Sequence, residues 1–117
     1  YPWGDEPLTA VHANYDYHIG HTTPVGTYAA GASPDGLFDL AGNIRELCDN
    51  SWHAYSWEGE VDPPQTSGQI MRGGSWATPA AIIVAAYRNA QKGATCPMVG
   101  FRCARDLRGP AGLLPPG

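Results

Sequence analysis

The chain has 117 residues and a net charge of −4, with 43% hydrophobic and 15% charged residues. This length suits one domain with its own core, and the acidic balance offers no basic surface for phosphates, so we expect no nucleic-acid partner. No apolar run approaches the length of a membrane span, and the first four residues do not form a signal peptide. An upstream targeting segment stays open, and the sequence does not determine the localisation.

Fifteen glycines and eleven prolines are typical of a loop-rich globular protein, below the level of disordered chains. The three cysteines, Cys48, Cys96 and Cys103, form an odd set without a C-x-x-C pair. The spacing therefore predicts neither a disulfide framework nor a zinc site. The redox state of the thiols and the oligomeric state are left open.

Residues 1–16 mix proline, glycine, aspartate and aromatic residues without a helical or strand period, which predicts irregular chain lying on a surface. Tyr15, Tyr17 and His18 could form a short strand that ends at Gly20. The aromatic side chains of this segment need a neighbour to bury them. We therefore expect that the chain does not fold alone, and that a preceding part of the same domain completes its core.

Residues 44–48 predict a β-strand that places Ile44, Glu46 and Cys48 on one face. A carboxylate among apolar neighbours must be paired, protonated or bound to a cation. Asp39 lies seven residues earlier, across a glycine turn, and could join Glu46 and turn carbonyls in an oxygen cage for calcium. The alternative is a salt bridge from Glu46 to an arginine such as Arg72 or Arg88.

Two glycine motifs enclose a segment of different composition, residues 77–99, which we call the enclosed segment. The first motif, residues 72–76, is entered by a predicted strand at 69–72, and its paired glycines suit a close backbone approach. Trp76 provides a large anchor with a polar edge. For residues 82–86 the pattern does not separate helix from strand, since alanines favour helix and β-branched residues favour strand.

Several motifs in order make the chain similar to the sulfatase-modifying-factor family, the domain of formylglycine-generating enzyme. The resemblance implies an α+β, loop-rich variant of the C-type lectin-like fold, of which residues 1–109 form the C-terminal portion and 110–117 a tail. The motifs are Trp3-Gly4-Asp5, Thr23-Pro24-Val25-Gly26, Gly36-Leu37-Phe38-Asp39-Leu40-Ala41-Gly42-Asn43, Glu46, Arg72-Gly73-Gly74-Ser75-Trp76, Tyr87-Arg88 and Gly100-Phe101-Arg102-Cys103.

The resemblance also implies a structural calcium ion, because members of this family bind calcium at positions matching Asp39, Gly42, Ile44 and Glu46. The side chains of Asp39 and Glu46 and the carbonyl groups of Gly42 and Ile44 would be the ligands. Oxygen donors of this kind suit calcium.

Formylglycine-generating enzymes carry a reactive cysteine pair just after the Arg-Gly-Gly-Ser motif, and the matching places here are near Thr78 and Ile83. Neither residue can supply the thiolate ligand of such a copper oxidase, so no catalytic residue is assigned. The related iron-dependent sulfoxide synthases draw their metal histidines from a separate domain outside this chain, which leaves an oxidoreductase or a non-catalytic relative as alternatives.

A third branch, the variable proteins of diversity-generating retroelements, presents a hypervariable binding face in this fold. The resemblance implies a display module whose ligand is macromolecular, we expect a protein, although its identity and true diversification are not determined. The side chains of residues 77, 78, 79, 82 and 84, with some of 93–98, should face solvent together, above buried Trp76, Tyr87 and Phe101. The predicted ligand-binding residues are Ala77, Thr78, Pro79, Ile82, Val84, Asn89, Gly93 and Thr95.

Overall fold

A computed structural model describes residues 1–51, 68–91 and 96–105 of the chain. Within these ranges, four strands form one sheet in the order β3-β2-β1-β4. Strands β1 and β2 are antiparallel, as are β2 and β3, whereas β1 and β4 are parallel. The strands are β1 (Arg45–Ser51), β2 (Gln69–Arg72), β3 (Arg88–Gln91) and β4 (Val99–Gly100), and two short 3-10 helices occupy Ala29–Gly31 and Ala80–Ile82.

The two strands predicted from alternation and from the first glycine motif are confirmed as β1 and β2. In their register Glu46 stands opposite Arg72 and Leu47 opposite Met71. Ile70 and Met71 are consecutive, so they point to opposite faces of the sheet, and both are buried at 3% and 4% exposure. Both faces of β2 are therefore covered at this point.

The second glycine motif lies beside β1, because β4 pairs Gly100 with Glu46. A Cβ atom on Gly100 would stand 2.9 Å from Cδ1 of Ile44. A larger residue would need the Ile44 side chain to move, so glycine permits this close pairing of the two strands.

The N-terminal segment packs on the core of the described chain. Buried Ala13, Tyr15, Ala41 and Ile83 form a hydrophobic cluster, with Trp3 and Leu8 against it. The Trp3 ring also stacks on His12 at 4.7 Å and on Tyr1 at 4.9 Å. The expectation that a preceding part of the domain must bury the aromatic residues of 1–16 is therefore wrong for Trp3 and Tyr15, which pack within the described chain, while Tyr1 is 37% exposed.

The predicted short strand from Tyr15 to Gly20 is also not observed. Asp16 and Tyr17 have positive φ angles of 51° and 58°, in the left-handed region, and this conformation turns the chain.

The described residues form a small domain that is rich in sheet and loops and contains little helix. The helical part of the predicted α+β class has no counterpart beyond the two 3-10 helices in the described ranges. The predicted domain limit at 109 and the tail 110–117 lie outside the described residues. No helix in the described parts of the chain is long and apolar enough to cross a membrane.

Candidate functional site

The start of the enclosed segment is fixed to the rest of the domain by its backbone. Trp76 is half-buried and meets the Tyr17 ring edge to face at 5.4 Å. Two loops thus hold this stretch in place without using outward side chains. The main-chain hydrogen bonds run from Gly42 N–H to Gly73 O (2.7 Å), Trp76 N–H to Asn43 O (3.0 Å), Tyr17 N–H to Trp76 O (2.9 Å) and Asp16 N–H to Thr78 O (3.0 Å).

Gly74 brings together two side chains of the segment that are five residues apart. A Cβ atom at Gly74 would lie 2.6 Å from Cδ1 of Ile83 and 3.1 Å from Cγ2 of Thr78, so both side chains press on the bare glycine. Each is 1% exposed. These are the two places where the resemblance puts a reactive cysteine pair, and here a hydroxyl and an aliphatic group fill them.

Thr78 was predicted to face solvent with the ligand-binding residues, and this prediction is wrong. Its Oγ1 accepts a hydrogen bond from the Ser75 N–H at 2.8 Å and lies 3.2 Å from the Ser75 hydroxyl. Ser75 is itself fully buried. A buried N–H needs an acceptor, so Thr78 points inward to supply one.

Other predicted ligand-binding residues differ in exposure. Pro79 and Asn89 are exposed, Val84 is 42% exposed, and Ala77 and Ile82 are half-buried. Gly93 and Thr95 lie outside the described residues.

Two residues that were predicted to be buried beneath this face are exposed. Tyr87 is 38% exposed and Phe101 is 73% exposed. Phe101 comes directly after the two-residue strand β4 and lines an open cleft instead of the core. The prediction that both rings support the enclosed segment from below is therefore wrong.

The predicted binding residues divide between two pockets. Thr78, Ile82 and Asn89 line a small cleft of about 20 Å³. Val84 instead lines a pocket of about 280 Å³, which we call the Arg72 pocket. Arg72 borders both spaces. The predicted binding residues thus line two separate spaces, and Arg72 belongs to the lining of each.

Glu46, the anomalous carboxylate of β1, is paired with an arginine that the sequence did not single out. The Arg102 guanidinium donates to both carboxylate oxygens of Glu46, each at 2.5 Å. It also donates to the carbonyl oxygens of Phe38 and Asp39 at 3.0 and 3.1 Å. Hydrogen bonding to Glu46 raises the pKa of Arg102 above its ordinary value, against the lowering effect of burial. The second glycine motif is thereby fastened to both β1 and the loop before it.

Three of the four predicted calcium ligands already have hydrogen-bond partners within the protein. Both Glu46 oxygens face Arg102, Oδ2 of Asp39 accepts from the Gly26 N–H at 2.8 Å, and the Gly42 carbonyl accepts from the Ile44 N–H at 2.9 Å. The described residues include no group of three or more His, Cys, Asp or Glu side chains placed to hold a metal ion. The set does not fit calcium unless Arg102 leaves Glu46, and calcium binding stays a prediction.

Asn43 carries a structural role that the sequence pattern did not reveal. Its Oδ1 accepts from the Thr23 N–H at 2.9 Å, and its Nδ2 donates to the Thr23 carbonyl at 3.2 Å. Buried Asn14 donates to the same Oδ1 at 3.3 Å. Asn43 also adopts a left-handed φ of 66°, a conformation that Asn tolerates well. The two motifs at 23–26 and 36–43 are therefore joined by the hydrogen bonds between Thr23 and Asn43.

An open cleft of about 440 Å³ lies at the Arg102 contact. Val25, Phe38 and Phe101 line it and are 85%, 40% and 73% exposed, with the Arg102–Glu46 pair among the other lining residues. Large apolar side chains are thus gathered around a charged pair on the surface of this chain.

Known proteins resemble the chain over most of its length. The serine/threonine-protein kinase Pkn1 of Chlamydia trachomatis is 33% identical over 117 residues, which cover 92% of this chain and 18% of the kinase. Hercynine oxygenase of Mycobacterium tuberculosis is 35% identical over 98 residues, covering 76% of this chain and 23% of the oxygenase. The chain spans about a fifth of the length of these curated relatives.

Solved structures resemble the fold as well. Treponema denticola variable protein 1 superposes with a TM-score of 0.65 and 32% identity, covering 77% of this chain and 34% of that one. PvdO from Pseudomonas aeruginosa gives a TM-score of 0.61 and 27% identity, covering 86% of this chain and 42% of that one. Residues 1–107 match the family model of the sulfatase-modifying factor enzyme 1-like domain. The chain therefore belongs to the sulfatase-modifying factor enzyme 1-like domain family.

Proposed function

We propose that this chain is part of a ligand-binding module whose binding face lies between Trp76 and Gly100. The main support is that some residues of the enclosed segment hold it to the domain while others are exposed. Backbone hydrogen bonds and the buried side chains of Thr78 and Ile83 hold its start, while Pro79, Val84 and Asn89 are exposed. Exposed positions away from packing features tolerate substitution with changes of about 0.5 kcal/mol or less, so these can be adapted to a ligand without loss of the fold.

The likeness to Treponema denticola variable protein 1 supports a display function of the kind found in diversity-generating retroelements. On this proposal Ala77, Pro79, Ile82, Val84 and Asn89 are the variable positions in a C-type lectin-like frame. Thr78 belongs to the frame, because its hydroxyl serves Ser75. Gly93 and Thr95 stay in the proposed face from the sequence alone.

The expected ligand is a protein or another partner with apolar groups. Val84, Ala85 and Pro79 are exposed, small and uncharged, and they give this copy a shallow apolar surface. Surfaces of this kind are typical of protein contacts rather than sugar sites.

We further propose that the folding unit includes chain beyond these 117 residues. The cleft lined by Val25, Phe38 and Phe101 exposes large apolar side chains that would be covered by such a portion. The chain spans only 34% and 42% of the two solved neighbours. Phe101, expected in the core, would then be buried by the added part.

The main alternative is an oxidoreductase, which the relatedness to hercynine oxygenase keeps open. A formylglycine-generating mechanism needs thiolates where this chain has Thr78 and Ile83, and the Thr78 hydroxyl is already bound to Ser75. An assay of the complete protein for oxidation of a cysteine-containing peptide or of hercynine, with copper and with iron in turn, tests this alternative directly.

The DNA around the gene tests the display proposal. A nearby near-repeat of the coding segment for residues 72–103, differing only at adenines, is the expected result. A genomic neighbourhood without such a repeat, or with differences at all four bases, would count against diversification. A binding function without diversification would then be tested by the calorimetric titrations and the library selection described below.

A further inference from the structure

The Arg72 pocket lies beside the enclosed segment and combines apolar walls with one cationic group. It has a volume of about 280 Å³, and Leu40, Ala41 and Val84 contribute apolar surface to it. Small-molecule sites usually begin at about 300 Å³, so the space suits a group the size of one amino acid. Among the residues that the structure describes, no aspartate or glutamate lines it.

The Arg72 guanidinium at this pocket has a neutral partner. Its Nη1 donates to the Ala85 carbonyl oxygen at 3.1 Å. Glu46 stands directly opposite Arg72 in the sheet, but both of its oxygens bind Arg102 instead. Within the described ranges Arg72 forms no ion pair with a carboxylate. Because Arg102 binds Glu46, the Arg72 charge beside this apolar space is not matched by a carboxylate of the described residues.

We infer that the Arg72 pocket binds an apolar group that carries a carboxylate. The inference rests on the proposed binding function and specifies the ligand chemistry at one part of that face. A guanidinium presents N–H donors in a planar fork that matches a carboxylate. The walls from Leu40, Ala41 and Val84 would take an aliphatic side chain next to it. A branched-chain acid and the C-terminal residue of a peptide share this chemistry.

The first measurement compares an acid with its neutral counterpart on the complete protein that contains this chain. N-acetyl-leucine and N-acetyl-leucinamide have the same apolar group and differ in the carboxylate. We expect the acid to bind with a dissociation constant of about 1 mM, in keeping with the modest affinity of so small a ligand. The amide should bind at least tenfold more weakly in the same calorimetric titration.

Two substitutions locate the binding, and the chain offers a matched control. Val84→Asp places a negative charge in the pocket and should weaken binding of the acid at least tenfold. Val11→Asp makes the same change at an exposed valine that lines neither this pocket nor the cleft at Arg102, and it should leave binding unchanged. Arg72→Gln keeps a donor for the Ala85 carbonyl and should abolish the preference for acid over amide.

A peptide arm distinguishes the two sources of the carboxylate. An octapeptide ending in leucine is compared in its free and amidated forms. Tighter binding of the free peptide than of N-acetyl-leucine assigns a protein C-terminus, whereas equal or weaker binding assigns a free acid. Both results support the ligand chemistry.

Equal affinities for acid and amide, both lowered by Val84→Asp, would overturn the carboxylate assignment and leave a binding face in place. If neither Val84→Asp nor Arg72→Gln changes the affinity for the acid, or if neither probe binds, the pocket assignment is overturned. The proposed display function is decided separately, by the gene neighbourhood and by the tolerance of the exposed positions.

Discussion

The hydroxyl oxygen of Thr78 accepts the N–H of Ser75 at 2.8 Å, and neither residue is more than 1% exposed. This contact closes the turn that starts the enclosed segment. Thr78→Val keeps the shape and removes the acceptor, so a buried N–H is left without a partner. We expect a loss of about 1–3 kcal/mol in the free energy of unfolding.

Thr78→Ser is the matched variant, because it keeps the oxygen and removes the methyl group that touches Gly74. It should cost less than Thr78→Val in chemical denaturation of the complete protein. If both variants are as stable as the parent, Thr78 is not part of the frame.

Gly42 should be far less tolerant of alanine than Gly36, although both have positive φ angles, 74° and 80°. A Cβ atom at Gly42 would collide with the Asn14 carbonyl oxygen, whereas one at Gly36 has nothing within 4 Å. Each substitution carries a conformational cost of about 1–2 kcal/mol, and overpacking adds about 1–3 kcal/mol at Gly42 alone. Denaturant midpoints of the two variants check the difference, and equal midpoints would contradict the close approach at Gly42.

Calcium and Arg102 should compete for Glu46. Because the guanidinium holds both carboxylate oxygens, we expect Arg102→Gln to bind calcium more tightly than the parent protein, and Glu46→Gln to bind it least. Calorimetric titration with calcium measures the affinities. Absence of calcium binding in both the parent and Arg102→Gln would end the calcium proposal.

The isolated 117-residue chain should melt without a sharp cooperative transition, while the complete protein should melt cooperatively. The motivation is the exposed apolar cleft of Val25, Phe38 and Phe101 rather than the N-terminal aromatic residues, which pack on the chain itself. Differential scanning calorimetry of the two proteins measures the cooperativity of unfolding. Two-state melting of the isolated chain would show that the cleft needs no further cover.

The parts of the fold that were predictable from the sequence depend on local pattern. Alternation gave β1, and the Ile70-Met71-Arg72 run before paired glycines gave β2. The multi-residue motifs identified the family correctly, because several of them occur in order over most of the chain.

The predictions that were wrong concern contacts that the local sequence pattern does not specify. Arg102 lies 56 residues from Glu46, so no spacing rule indicated their pairing over that of Arg72 or Arg88. Thr78 looks like a surface residue until its bond to Ser75 is known. The exposure of Phe101 depends on what packs against it in three dimensions, and the local sequence carries no signal for that.

Two libraries test whether the enclosed segment is a binding face. In the complete protein, one library randomises Pro79, Ile82, Val84 and Asn89, and a second randomises Ser75, Thr78 and Ile83. Each is displayed, sorted for protease resistance and then for binding to one unrelated test protein. We expect most members of the first library to stay folded and binders to emerge from it, while few members of the second should stay folded. A first library as poorly folded as the second, or one that is folded and yields no binders, would contradict the claim that this segment is a binding face.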